Sequence, residues 1–130
     1  MEHVLFSDGD SKRISWLVRT GDKIIEQYRD HAEIYLDIVS PQQSKYIALH
    51  VGIFWSIGTF LIKNGDSVKI MLDSKEMFEH LKKNNLVEDG FIQKRIEFIK
   101  LLIKQRNLDV SYELINAKEN LATSLITHSL

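Results

Sequence analysis

Residues 68–83 read VKIMLDSKEMFEHLKK. Val68, Ile70 and Leu72 alternate with Lys69 and Met71, the period-two signature of a strand, and from Ser74 onward the spacing turns helical, with Met77, Phe78 and Leu81 on one side. Asp73 sits at the junction. A carboxylate there stands at the carboxyl end of a strand, where open α/β sheets gather their ligands, and Ser74 is placed to cap the helix that follows. The other aspartate that ends an apolar run is Asp8, in VLFSDGD at residues 4–10. The functional question is which groups collect around these two acids.

Composition narrows the classes. A chain of 130 residues that is 44% hydrophobic builds one domain, residues 1–130, with a substantial core. Its net charge of −1 gives no global basic character, so any nucleic-acid contact has to come from a local patch. The absence of cysteine excludes disulfides, thiolate catalysis and cysteine metal sites. Met1 is followed by Glu2 rather than by a basic segment, so no secretory signal is read and the expected location is cytoplasmic. The apolar run at 46–62 contains His50, Ser56 and Thr59 and is shorter than the roughly 20 residues a membrane span needs. It reads as a buried helix, and no membrane partner is expected.

Outward from the central stretch, the amino-terminal part reads as strands. The run VLF at 4–6 stops at the turn cluster Ser7-Asp8-Gly9-Asp10, and ISWLVR at 14–19 and KIIEQY at 23–28 flank Thr20-Gly21-Asp22, a short hairpin signal. AEIYLDIV at 32–39 alternates too, as a continuation of the hairpin or a separate edge strand. Ser40 then caps a helix with Pro41 in its first position, and the pattern stays helical and apolar nearly all round from Gln43 to Lys63, where Asn64-Gly65-Asp66 closes it. Beyond the central strand and helix, residues 91–106 (FIQKRIEFIKLLIKQR) form an amphipathic helix, 109–115 (DVSYELI) a last strand, and 116–130 a last helix with Leu121, Leu125 and Leu130 toward the sheet. Strands joined first by hairpins and later by helices imply a mixed sheet.

This order of elements, with one aspartate after the first strand and another after the strand that follows the first helix, resembles the ribonuclease H family. Phe6-Ser7-Asp8-Gly9-Asp10 is similar to the family's opening Asp-Gly-Ser, and Leu72-Asp73-Ser74-Lys75 to its Asp-Ser strand end. Ser40-Pro41-Gln42-Gln43-Ser44-Lys45-Tyr46-Ile47-Ala48-Leu49 falls where the family reads Thr-Asn-Asn-x-Ala-Glu-Tyr-x-Ala-Leu. Lys118-Glu119-Asn120-Leu121-Ala122-Thr123-Ser124-Leu125 falls near its Asn-x-x-Ala-Asp-x-Leu-Ala. The resemblance implies an α/β, ribonuclease H-like five-stranded mixed sheet, an antiparallel amino-terminal meander followed by parallel strands, flanked by helices. It implies hydrolysis of the RNA strand of an RNA–DNA hybrid through two Mg²⁺ or Mn²⁺ ions about 4 Å apart.

Such ions need a cluster of carboxylates. Asp8 and Asp73 supply two, but the family's first-helix glutamate aligns with Lys45 and its last aspartate with Thr123. An ammonium at the first of these positions repels divalent ions and is able to pair with Asp8 or Asp73 instead. The substitutes within reach are Asp10, two residues from Asp8, and Glu119, on the face of Thr123 if the last helix has begun there. Asp37 and Glu33 are farther off. The bland readings are that Asp8 and Asp73 are turn and cap residues, that Lys45 is solvated, that Glu119 answers a helix dipole, and that Trp16, Trp55 and His50 belong to the core. The histidines at 3, 31, 80 and 128 show no paired spacing, which argues against zinc.

On the resemblance, Ser40, Gln42, Gln43, Lys45, Ser74, Lys82 and Lys83 are the candidate duplex contacts. Ser40, Gln42 and Gln43 replace the family's paired asparagines, and Lys82 and Lys83 open a basic run that continues through Lys94, Arg95, Lys100, Lys104 and Arg106. Three functions follow: a degenerate ribonuclease H-like domain that binds nucleic acid, a working nuclease using Asp8, Asp73 and one of Asp10 or Glu119, or a protein-interaction module such as a homodimer.

Overall fold

In the computed structural model, which describes residues 1–127, β1 (Glu2–Gly9), β2 (Arg13–Thr20) and β3 (Lys23–Asp30) form an antiparallel meander. Helix α1 (Pro41–Gly58) crosses to β4 (Ser67–Leu72), and α2 (Lys75–Lys82) and α3 (Gly90–Gln105) lead to β5 (Asp109–Leu114). A 3-10 turn at Ala117–Glu119 precedes the short α4 (Ser124–Thr127). The sheet order is β3-β2-β1-β4-β5, with β1 parallel to β4 and β4 parallel to β5. β1 is therefore central, and its carboxyl end and that of β4 lie side by side.

Strand alternation sorts the two faces. Leu5, Ile70 and Leu72 join Trp16, Leu49 and Ile99 in the main core under α1 and α3, while Phe6, Leu17 and Ala122 form a smaller cluster on the other face. Full burial of side chains such as Leu5, Leu49 and Ile53 contributes about 1.5–3 kcal/mol each. The parallel register pairs Phe6 with Met71. Two residues further on, Asp8 and Asp73 leave the strands on that same face.

Four local readings change in the structure. β1 does not stop before a turn at Ser7 but runs through Gly9, because Asp8 and Gly9 pair with Ser15 and Ile14 of β2. Residues 32–39 are not a strand. β3 is the sheet edge, so the alternation there has no neighbour to pack on; Tyr35 and Leu36 donate to the Ala32 carbonyl, and Ile34 and Ile38 stay exposed.

Helix α1 starts as expected, with a Ser40–Gln43 capping box and Pro41, but ends at Gly58 rather than at Lys63. Phe60 takes a left-handed φ of 64°, and the Phe60 and Leu61 amides bond back to Ile57 and Ser56, which lets Ile62 turn into the core. The last helix is the 3-10 turn plus α4 rather than one element. Ala122 and Ile126 face the sheet while Leu121 is 43% exposed; Leu130 and His128 lie outside the described residues. Among the described residues no helix is long and apolar enough to cross a membrane.

The amino end of the sheet is closed by a buried pair. His3 Nε2 lies 2.8 Å from Asp66 Oδ2, which also accepts the Lys63 amide at 2.9 Å. The His3 bond first, then the Lys63 amide, hold the Asp66 carboxyl down at about 2, below its ordinary 3.8. Because the folded value is the lower one, this stabilisation is present above about pH 4 and is lost as pH falls through about 2. Asp66→Asn is expected to flatten stability between those pH values, read from urea midpoints at stepped pH; an unchanged acid limb would mean that other carboxylates set it.

Candidate functional site

Helix α1 rides directly on β1. A Cβ added to Gly9 would stand 2.2 Å from Ser44 Oγ and 2.8 Å from the Ser44 carbonyl, so only glycine allows this approach. Ser44 is itself buried, with its hydroxyl 2.7 Å from His31 Nε2. The next residue, Lys45, is thereby aimed at the carboxyl ends of β1 and β4.

Its ammonium lies between the two acids. Lys45 Nζ donates to Asp8 Oδ1 at 2.7 Å and to Asp73 Oδ1 at 2.9 Å, with the carboxylate side chains 8% exposed and the lysine 22%. The remaining oxygens are taken as well. Thr123 Oγ1 donates to Asp8 Oδ2 at 2.6 Å, Asn120 Nδ2 to Asp73 Oδ2 at 2.9 Å, and the Gly9 amide to Asp8 Oδ1 at 2.8 Å. Asn120 also donates to the Ser7 carbonyl at 3.0 Å and accepts the Ala122 amide at 3.0 Å, locking the carboxyl-terminal segment to β1.

Burial is the largest single influence on Lys45 and pushes its pKa down. The hydrogen bonds and charges of Asp8 and Asp73 together outweigh it and hold the ammonium above its ordinary 10.5. The lysine is therefore charged throughout the physiological range.

This donor set does not fit a pair of divalent ions. Magnesium takes oxygen ligands in an octahedral shell, and here each carboxylate oxygen already faces a donor, with a fixed positive charge between the two groups. Among the described residues no three histidine, aspartate or glutamate side chains are grouped so as to hold a metal.

The other acids are used elsewhere. Asp10 Oδ1 accepts the Lys12 and Arg13 amides at 2.8 Å in the β1–β2 turn. Asp37 pairs with Lys12 at 3.2 Å, and Glu33 is exposed. Glu119 Oε1 accepts the Asn116 amide at 3.0 Å, and the residue lines a hollow of about 380 Å³ with Asp73, Lys75 and Asn116. It shares no helical face with Thr123, because the chain leaves the 3-10 turn before α4 begins.

Of the candidate duplex contacts, Ser40, Gln42, Gln43 and Ser74 lie at helix starts. Ser40 caps α1 and Ser74 caps α2; Gln42 Nε2 reaches Ser74 Oγ at 3.4 Å, and Gln43 Nε2 reaches Asp89, the α3 cap, at 3.1 Å. Lys82 and Lys83 are exposed at the far end of α2. Sequence reasoning missed Asn120, which stands one residue after the position of the asparagine in the Asn-x-x-Ala pattern, a position held here by Glu119. An asparagine followed by Ala122 at a buried position was the available signal.

No family model and no curated protein matches this sequence. Solved structures do. Ribonuclease H1 of Halobacterium salinarum superposes over 99% of this chain and 100% of its own with a TM-score of 0.78, at 15% identity. The fold is that of ribonuclease H. The amino-terminal ribonuclease H domain of a Mycobacterium tuberculosis protein gives a TM-score of 0.76 at 18% identity, over 98% of this chain and 94% of that one. LC11 ribonuclease H1, isolated from compost and solved with an RNA/DNA hybrid, gives 0.66 at 16% identity, over 95% and 92%. The ribonuclease H fold places Asp8 and Asp73 together, and in this chain the Lys45 ammonium lies between them.

Proposed function

We propose that this chain is a ribonuclease H-like domain that binds nucleic-acid duplex, with RNA–DNA hybrid as the favoured partner, and that metal-dependent hydrolysis has been lost. The observation that carries the reading is Lys45 Nζ at 2.7 and 2.9 Å from both carboxylates. A resident ammonium neutralises one of the two acids and leaves no ligand set open for Mg²⁺ or Mn²⁺. The hybrid-bound state of LC11 ribonuclease H1 supports the choice of partner.

In this reading the chain's own groups hold the duplex. Ser40, Gln42 and Gln43 at the start of α1 and Ser74 at the start of α2 offer hydrogen bonds to ribose and base edges, and Lys82 and Lys83 offer charge to phosphates. Lys45 keeps the acidic pair from repelling the backbone outright. Removing both surface lysines by Lys82→Ala with Lys83→Ala is expected to reduce the slope of log K against log salt by about 2, without changing the preference for one duplex over another. Fluorescence anisotropy at stepped salt measures this.

The deciding experiment incubates labelled hybrid with the protein in Mg²⁺ and in Mn²⁺, alongside Asp73→Asn. Salt-sensitive binding with no cleavage is expected. Metal-dependent cleavage abolished by Asp73→Asn would instead establish a working nuclease built on Asp8, Asp73 and one of Asp10 or Glu119. Glu119 is the better placed, since it lines the hollow beside Asp73. Neither binding nor cleavage would point to a protein-interaction module, with a homodimer detectable by light scattering.

A further inference from the structure

Five residues before Asp8 on β1, about 17 Å away at the rise of an extended strand, His3 forms part of a fixed polar wall. Its side chain is fully buried, and Nδ1 lies 2.6 Å from Thr20 Oγ1 while Nε2 lies 2.8 Å from Asp66 Oδ2. These bonds leave the wall internally satisfied. Beside it opens a cavity of about 520 Å³ whose lining includes Thr20, Lys23, Ile25, Trp55, Phe60 and Lys63. That volume lies within the range of small-molecule sites, and the mixture of apolar surface with a few polar groups is their usual chemistry.

Two features of the lining point to a class of ligand. Neither Lys23 nor Lys63 has a carboxylate within ion-pair distance among the described residues, and the one acid in the wall, Asp66, is already bonded to His3 and to the Lys63 amide. The lining therefore sets two lysine ammonium groups against one carboxylate, a net excess of positive charge. Its apolar side includes the indole of Trp55 and the ring of Phe60, and Phe60 is 78% exposed. Phe60 also holds the left-handed position after α1, where glycine is the ordinary residue and a side chain strains the backbone. A bulky ring is thus kept, under backbone strain, at the mouth of a positively charged cavity.

We propose that this cavity binds a small aromatic carboxylate, its ring against Trp55 and Phe60 and its carboxylate toward Lys23 and Lys63. The site shares no residue with the Asp8–Lys45–Asp73 cluster, so it stands or falls independently of duplex binding. Anion and aromatic body act together: the charge selects an acid, and stacking on the rings selects a flat one.

The test is titration of the whole chain with 2-naphthoate, followed by calorimetry and by tryptophan fluorescence, with neutral 2-naphthol as comparison. Saturable binding of naphthoate at least about tenfold tighter than naphthol, a difference of about 1.4 kcal/mol, is expected. Lys23→Ala with Lys63→Ala is expected to erase that difference. Phe60→Gly is the informative single change: it suits the backbone, so stability is retained or raised, while affinity for naphthoate falls about tenfold. Naphthoate that fails to saturate in the millimolar range, or binding that Phe60→Gly leaves unchanged, would overturn the proposal.

Discussion

Lys45→Met is expected to lower stability by about 2–3 kcal/mol, a fall in Tm of roughly 10 °C for a chain of this size. The hydrophobic stem is kept and only the ammonium is lost, so the effect reports charge rather than packing. Removing one member of a buried ionic cluster leaves the others uncompensated, and here two carboxylates, each 8% exposed, would face one another with only Asn120, Thr123 and the Gly9 amide as donors. Partial exposure of the lysine, at 22%, keeps the expected loss below the upper end for buried pairs. Because the folded Lys45 pKa is raised above 10.5, the stabilisation it supplies is fully present below that pH and fades as pH rises through the folded value. The wild-type chain is therefore expected to weaken in strong alkali in a way the Met variant does not. Millimolar Mn²⁺ is expected to recover part of the variant's lost Tm by taking the vacated charge position, and to leave the wild type unmoved. A wild type stabilised by Mn²⁺ as much as the variant would mean that Lys45 does not block cation entry.

The sequence carried the site's acids and its lysine further than it carried the chain ends around them. Asp8 and Asp73 are legible because each ends a period-two apolar run, and the parallel register of β1 with β4 is enough to bring them together. Lys45 is legible as the charge reversal within an otherwise matching helix start. What was hidden depends on tertiary partners. The 32–39 segment has the alternation of a strand, but the pattern says nothing about whether a neighbour exists, and the sheet ends at β3. The end of α1 was misplaced because Asn64-Gly65 is the conventional stop, whereas burial of Ile62 draws the chain inward sooner and leaves Phe60 in the position glycine would take. Asn120 escaped notice because a single asparagine in a polar segment has no periodicity. Its role comes from spanning Ser7, Asp73 and Ala122 at once.

Lys45→Glu combined with Thr123→Asp is expected to convert the site into one that binds divalent metal. The pair exchanges one positive and one neutral group for two carboxylates, both aimed at Asp8 by the contacts that now place Lys45 and Thr123 within 2.7 and 2.6 Å of it. Four carboxylates converging on one point repel strongly in the low dielectric of a partly buried site. Without metal the double variant is expected to be markedly less stable than the wild type, by at least the loss predicted for Lys45→Met. Mn²⁺ or Mg²⁺ supplies the missing positive charge with oxygen ligands of the kind those ions require, so titration calorimetry should show binding absent from the wild type, and Tm should climb with metal concentration. Asp73→Asn in the same background is expected to weaken that binding at least tenfold, because it removes a charged ligand while keeping the shape. If the double variant folds and shows no heat with either ion, positions 45 and 123 are not where the ribonuclease H carboxylates stand. The reading of Lys45 as a resident cation in a former metal site would then be wrong, even though its bonds to Asp8 and Asp73 remain.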